Sequence, residues 1–403
     1  MNYIKIFNAA ILSPSGLIKD GMLLIKDKKI VAVTDANIEV DGALEIDAQG
    51  KYLSAGFIDM HVHGGGGHDF MDNTIEAFLG AAQTHAKYGT TALMPTTLSC
   101  EKQDLLDTIR TYEKADPINT SGSQFIGLHI EGPYFAMNQK GAQDPKYIRN
   151  PDAGEYNEIL ASTDTIKRWS AAPELDGALE FGKVLKQKQI LPAIAHTDAI
   201  YEEVLKAYEV GYTHATHFYS CMSGVSRRNA FRYAGVIEAA YLLDKMSVEI
   251  IADGIHLPEA LLKLIYKIKG TEQTALITDA MRAAGMPEGN SILGGLKSGQ
   301  KVLVEEGVAK LPDRSAFAGS VATADRLVRN MIGMAEVPLP DAIRMITETP
   351  AKILNIQNQK GRLIKGMDAD VVLFDKEINI DTTIVNGNIV YSKNEVLSEG
   401  VLL

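Results

Sequence analysis

Tyr52-Leu53-Ser54-Ala55-Gly56-Phe57-Ile58-Asp59-Met60-His61-Val62-His63-Gly64-Gly65-Gly66-Gly67 is a mostly apolar run that ends in two histidines and four glycines. On a strand, residues at i and i+2 point to the same face. His61 and His63 therefore share a face, and both rings can reach one metal ion. Glycines directly after the strand place the pair at a sheet rim, where backbone can approach a ligand closely. An isolated His-x-His is as readily two polar residues on a solvated strand. The remaining strand ends decide between the two readings.

Downstream, apolar strands alternate with helical patterns. The strands read from the sequence are Phe57–His63, Thr90–Pro95, Phe125–Glu131, Ile190–His196, Thr213–His217, Val248–Asp253 and Thr274–Asp279, with an eighth near Ser315–Ala318. Helical segments such as Thr74–Tyr88, Lys102–Lys114, Leu175–Lys188, Ala199–Val210, Pro258–Lys267 and Val321–Met334 lie between them. Repeated strand–helix order predicts an α/β fold, a (β/α)8 TIM-type barrel. Short strands and turns dominate both ends of the chain, with Asp41-Gly42 and Asn386-Gly387 as turn signals. The two ends are expected to form a small β-sandwich domain. The expected division is 1–53 plus 360–403 for that domain and 54–359 for the barrel.

In such a barrel, chemistry collects at the C-terminal ends of the strands. Here those ends carry His61 and His63, Glu131, His196, His217, Asp279 and, just past a strand, His256. Imidazoles and carboxylates are ligands for a hydrolytic divalent cation. A metal site follows from the convergence, with each residue taken alone equally suited to a structural hydrogen bond. His129, two before Glu131, is either a partner that steadies Glu131 or a satisfied core histidine. His214 should face away from the barrel interior if its strand is regular. His85 lies on a predicted helix, at the surface or in helix–sheet packing, and Cys100 and Cys221 read as packed small residues rather than nucleophiles.

Composition bounds the partners. The 403 residues carry 40 basic and 51 acidic side chains, a net charge of −11, which argues against a nucleic-acid or anionic membrane surface. No apolar run approaches the ~18 residues of a membrane span. Met1-Asn2-Tyr3-Ile4-Lys5 lacks the charged segment and long apolar core of a signal peptide. Two cysteines make a disulfide framework unexpected and point to the reducing cytoplasm.

Several motifs in order carry a resemblance. Gly56-Phe57-Ile58-Asp59-Met60-His61-Val62-His63-Gly64 resembles the first-strand signature of the amidohydrolase superfamily. Gly127-Leu128-His129-Ile130-Glu131-Gly132-Pro133, Lys140-Gly141-Ala142, Ala172-Pro173-Glu174, Ala215-Thr216-His217, Asp253-Gly254-Ile255-His256, Thr278-Asp279-Ala280 and Ala318-Gly319-Ser320 together resemble the N-acetylglucosamine-6-phosphate deacetylase family, over about residues 50–375. The resemblance implies Glu131, His196 and His217 as ligands of the main metal. It implies His61 and His63 as ligands of a second ion, with Glu131 between the two. One or two divalent ions are expected, zinc first, with iron and manganese as alternatives. Asp279 is the implied catalytic general base and acid, working with a metal-bound hydroxide. Arg228 is the implied phosphate-binding arginine, and His256 lies near the phosphate in a subsite that draws on a neighbouring subunit, so a homodimer is implied. The implied partner is a small amino sugar phosphate.

Three departures fall where the sugar should sit. Gln143 replaces a histidine that holds the acetamide carbonyl, Ser220-Cys221 stand where Asn-Ala is usual, and the segment Asn229–Gly235 after Arg228 is longer than expected. Gln143, Ser220 and Cys221 therefore count as substrate-binding candidates that leave the sugar open. Deacetylation of N-acetylglucosamine 6-phosphate is the leading expectation. The galactosamine epimer, a cyclic amide and a non-catalytic barrel are the alternatives.

Overall fold

The computed structural model describes residues 3–393, apart from the side chain of Arg228. Eight parallel strands form its centre: β1 (Phe57–Val62), β2 (Thr90–Pro95), β3 (Leu128–Glu131), β4 (Ile166–Ala171), β5 (Leu191–Ile194), β6 (His214–Ala215), β7 (Ser247–Ile250) and β8 (Thr274–Leu276). β1 pairs with β2, which pairs with Gln124–Phe125, the short strand leading into β3. β3 to β8 pair in chain order. Isolated parallel bridges, Thr96–His129 and Val62–Ala280, link the two arcs at both seams. The parallel α/β arrangement is consistent with a TIM-type barrel. Leu128 and Ile130 join Trp169, Phe181, Val248 and Leu276 in the apolar layer under the helices. By alternation, His129 and Glu131 face the other way, into the barrel.

The expected eighth strand is corrected. Residues 315–318 form no strand; Phe317 only bridges to Lys310, beside a three-stranded antiparallel excursion, Gly289–Leu293, Gln300–Glu305 and Val308–Lys310. The missing barrel strand is β4. Its Lys167-Arg168 pair interrupts the apolar pattern, yet Arg168 is completely buried. Strands β5, β6 and β8 also end two or three residues earlier than the sequence suggested. His196, His217 and Asp279 lie beyond them with φ of 46°, 28° and 50°. The left-handed region is uncommon for non-glycine residues, and such strain concentrates at functional sites.

Both ends of the chain enter one eight-stranded sheet. Its order runs Asn388–Ser392, Ile380–Val385, Val371–Phe374, Tyr52–Ala55, Tyr3–Ser13, Gly16–Lys26 and Lys29–Thr34, with Leu44–Asp47 also on Tyr3–Ser13. The antiparallel pairing of Val371–Phe374 with Tyr52–Ala55 joins the C-terminal strands to the N-terminal ones. Ile6, Ile11, Leu23, Ile25, Leu53, Val371 and Leu373 give this sheet its own apolar core. That core fixes where β1 begins, because Tyr52–Ala55 leads into it through Gly56. Residues 394–403, which the sequence reading assigned to the same region, lie outside the described residues.

Candidate active site

The strand ends bring two sets of side chains together. His61, His63 and Asp279 offer ligand atoms within 4.8 Å of one another, and so do Glu131, His196 and His217; all six residues are buried. Glu131 lies between the sets. Its Oε1 is 3.0 Å from His217 Nε2, 3.3 Å from His196 Nε2 and 3.7 Å from His61 Nε2, while Oε2 is 3.5 Å from His63 Nε2. Asp279 Oδ1 is 3.1 Å from His63 Nε2 and 3.4 Å from His61 Nε2. His61 and His63 approach through their Nε2 atoms at 3.2 Å, as the i, i+2 spacing requires. The close turn after them needs glycine, since a Cβ on Gly64 would lie 2.1 Å from the His68 carbonyl oxygen.

The electrostatics are those of a cage for a cation. Burial alone would push the Glu131 carboxyl up, but the His61 ring and hydrogen bonds from His196 and His217 hold it well below the usual range. Burial likewise opposes ionisation of Asp279, which His61 and His63 nonetheless hold below its ordinary value. Burial pulls the His63 ring down, while the hydrogen bond and charge of Asp279, with Glu131 and Asp69, push it up to about 9. His217 also rises, since Glu131 outweighs its burial. Buried carboxylates stay ionised here, and imidazole Nε2 atoms face them, nitrogens that a cation can take in place of their protons. This donor set of imidazole nitrogen and carboxylate oxygen fits a divalent cation. Glu131, His196 and His217 could hold one ion, and His61, His63 and Asp279 a second.

A cavity of about 240 Å³ opens over this cluster. Its walls include Gln143, Ser220, Cys221, His256 and Phe317 beside the metal-facing groups. Gln143 is a strut: its Oε1 accepts the Ser99 backbone N–H at 2.8 Å, and its Nε2 donates to Glu131 Oε2 at 2.8 Å. Cys221 lies close to Gly141, where a Cβ would come within 2.7 Å of its Sγ. Burial pushes the Cys221 thiol up, but the neighbouring His196 ring draws it below its ordinary value. His256 is aimed by Asp253, which accepts from its Nδ1 at 2.7 Å, and its ring packs 4.7 Å from that of Phe317. Arg228 lies on Ser226–Arg228, which pairs with Phe231–Tyr233. Asn229 and Ala230, both at positive φ, make the turn between them, so the long segment after Arg228 is a hairpin. The Arg228 side chain is outside what the structure describes.

Other histidines take structural places. His129 bonds to Thr96 Oγ1 at 3.2 Å and Ser170 Oγ at 2.7 Å, and it packs edge-on to His61; it is a core histidine. His85 joins helix Ile75–Ala86 to the glycine loop through the Gly64 carbonyl oxygen. His214 is corrected: it faces inward, with Nε2 3.1 Å from Glu249 Oε2. Alternation from His217 failed as a guide because the strand stops at Ala215 and the chain turns before His217. Sequence reasoning missed Arg168, Glu249 and Phe317. Glu249 in Ser247-Val248-Glu249-Ile250 carried the one signal, a lone acid inside an apolar strand.

The profile of the amidohydrolase family matches residues 52–390. The chain is 34% identical over 385 residues to an N-acetylglucosamine-6-phosphate deacetylase of Lysinibacillus sphaericus, covering 95% of this chain and 96% of that one. It is 30% identical to an N-acetylgalactosamine-6-phosphate deacetylase of Escherichia coli O157:H7, covering 94% and 97%. The solved structure of a point mutant of the N-acetyl-D-glucosamine-6-phosphate deacetylase of Mycobacterium smegmatis, in complex with N-acetyl-D-glucosamine-6-phosphate, superimposes with a TM-score of 0.88 at 28% identity, covering 97% and 100%. With the profile and the first relative both spanning most of its length, this chain belongs to the amidohydrolase family.

Proposed function

We propose that the chain hydrolyses the acetamide of N-acetylglucosamine 6-phosphate, releasing acetate and glucosamine 6-phosphate. The observation that carries this reading is the pair of buried ligand sets around Glu131, under a cavity bordered by Asp279. When bound, a divalent ion polarises the amide carbonyl and lowers the pKa of its water to about 7. Zinc is the first choice, then iron or manganese. Asp279 takes a proton from the attacking water and delivers it to the departing amine nitrogen. Its depressed pKa keeps it ready as a base. Ser220, Cys221 and Gln143 line the sugar position, and Gln143 also steadies Glu131. His256, aimed by Asp253, and Arg228 on the hairpin receive the phosphate.

The exposed hairpin, with Arg227, Arg232 and a 72% exposed Phe231, supports a homodimer in which it meets the partner. The ring of eight strands reads as a closed (β/α)8 barrel over 54–359, and the terminal sheet as a β-sandwich domain from 1–53 and 360–403. No described helix is long and apolar enough to cross a membrane, and two thiols without a disulfide suit the cytoplasm. The galactosamine epimer is the second reading, favoured by the 30% identity to a deacetylase of that sugar and by the Gln143 and Ser220-Cys221 departures. Acetate release from a panel of N-acetylhexosamine 6-phosphates tests both. Preference for the gluco substrate is expected, and a higher kcat/KM on the galacto epimer would overturn it.

A further inference from the structure

Beneath the cavity, the barrel interior holds an ion pair with no part in the reaction just described. Arg168 on β4 and Glu249 on β7 are both completely buried. Arg168 Nη1 donates to Glu249 Oε2 at 2.5 Å, and Nη2 to Oε1 at 2.7 Å. Arg168 is itself held by the Met60 carbonyl at 3.1 Å and Thr216 Oγ1 at 2.7 Å. Glu249 has three further contacts: the His217 backbone N–H at 3.2 Å, His214 Nε2 at 3.1 Å and His61 Nδ1 at 3.0 Å. Stability is a weak explanation for such a pair. Desolvating two charges offsets much of their attraction, and apolar replacements are often neutral.

The contact with His61 explains more. An ionised carboxylate only accepts, so His61 Nδ1 carries the hydrogen. Nε2 is then the nitrogen left to bind a cation. It faces His63 Nε2 at 3.2 Å, Asp279 Oδ1 at 3.4 Å and Glu131 Oε1 at 3.7 Å. Tautomer and aim are thus both set from behind, and the carboxylate that sets them is clamped by a fork of two bonds. A carboxylate behind a metal-binding histidine orients the ring and strengthens it as a ligand.

We propose that Glu249, locked by Arg168, is a positioning residue that prepares His61 to bind, through Nε2, an ion shared with His63 and Asp279. It leaves the set Glu131, His196 and His217 to hold its own ion. This rests on the metal-dependent reading above. Glu249 does not line the cavity; it meets the ligand side chains at the His61 ring, and its other tie to a ligand is the His217 backbone N–H at 3.2 Å, which a glutamine oxygen still accepts.

The test counts ions. The full chain and its Glu249→Gln variant are stripped with a chelator and titrated with Zn²⁺ by equilibrium dialysis with elemental analysis, with thermal unfolding measured alongside. The wild type is expected to bind two ions. In Glu249→Gln, one affinity should weaken about 10- to 100-fold, the usual cost of losing such a partner, while the other ion is kept. If Glu249→Gln leaves Arg168 an unpaired charge and fails to fold, Arg168→Met with Glu249→Gln removes both charges and should show the same selective loss. Unchanged affinity for both ions in a folded variant overturns the proposal, as does equal weakening of both. A wild type that binds one ion overturns it too. Acetate release by the wild-type preparation is recorded separately. A single-ion protein that still releases acetate sinks the positioning claim and leaves the deacetylase reading standing.

Discussion

Asp279→Asn is the sharpest test of chemistry, because it changes charge and basicity while keeping shape. The side chain is buried, so an isosteric amide leaves no cavity. What it loses is the capacity to take a proton near neutral pH. General acid–base catalysis typically contributes ~10²- to 10⁴-fold, and at about 1.36 kcal/mol per tenfold that is about 3–5 kcal/mol of barrier. The geometry adds a second effect. Asp279 Oδ1 lies 3.1 Å from His63 Nε2 and 3.4 Å from His61 Nε2, so the variant also removes a negative charge from one ligand set. At that range and an effective dielectric constant of about 20, the lost attraction to a unit positive charge is ~5 kcal/mol. The two effects separate in the assay. Acetate release is followed over substrate concentration at saturating metal, with bound metal measured in the same samples. A variant that is folded and metal-loaded should show kcat down by at least ~10²-fold, with KM little changed because the cavity wall keeps its shape. Turnover within about tenfold of the wild type would remove Asp279 from the proton-transfer role.

Gln143→Leu strands the buried Ser99 N–H and frees Glu131 from its 2.8 Å partner; stability should fall by roughly 1–3 kcal/mol, read by denaturant unfolding, together with weaker metal binding. Phe317, 41% exposed and packed on His256, should contribute mainly to binding; Phe317→Ala is expected to raise KM by about 3- to 10-fold and spare kcat in steady-state kinetics. Lys269, which donates to the Ala240 and Leu243 carbonyls, is pulled by burial down to about 8. Between that value and the ordinary lysine pKa, the unfolded chain binds more protons than the folded one, so stability should rise as pH climbs from 8 toward 10.5. Lys269→Met should flatten this slope in unfolding measured across that range.

Several parts of the site were legible in sequence for a physical reason. A strand alternates its side chains, so His61 and His63 had to share a face, and the glycines had to mark a rim. Glu131, His196, His217 and Asp279 were readable because each closes a strand-like stretch of the sequence. What the alternation rule could not supply was the turn that presents them: His196, His217 and Asp279 leave the strand with positive φ, and the rule mis-set His214 for that reason. Strand β4 was hidden by Arg168. A charge inside a run reads as surface, and only its partner 81 positions later, Glu249, makes it a core residue. The same absence of local signal hid the role of Gln143. A substitution seen in sequence suggested a substrate contact, and its bonds to Ser99 and Glu131 emerge only when three distant segments meet.

Metal-dependent deacetylation itself is best tested by one titration. The purified chain is stripped with a chelator, metal is restored stepwise, and acetate released from N-acetylglucosamine 6-phosphate is measured at each step. Activity should vanish on stripping and return in proportion to bound metal. Full acetate release from protein shown to hold no metal, or none from fully loaded protein, would contradict a cation held by Glu131, His196 and His217 as the centre of this chemistry.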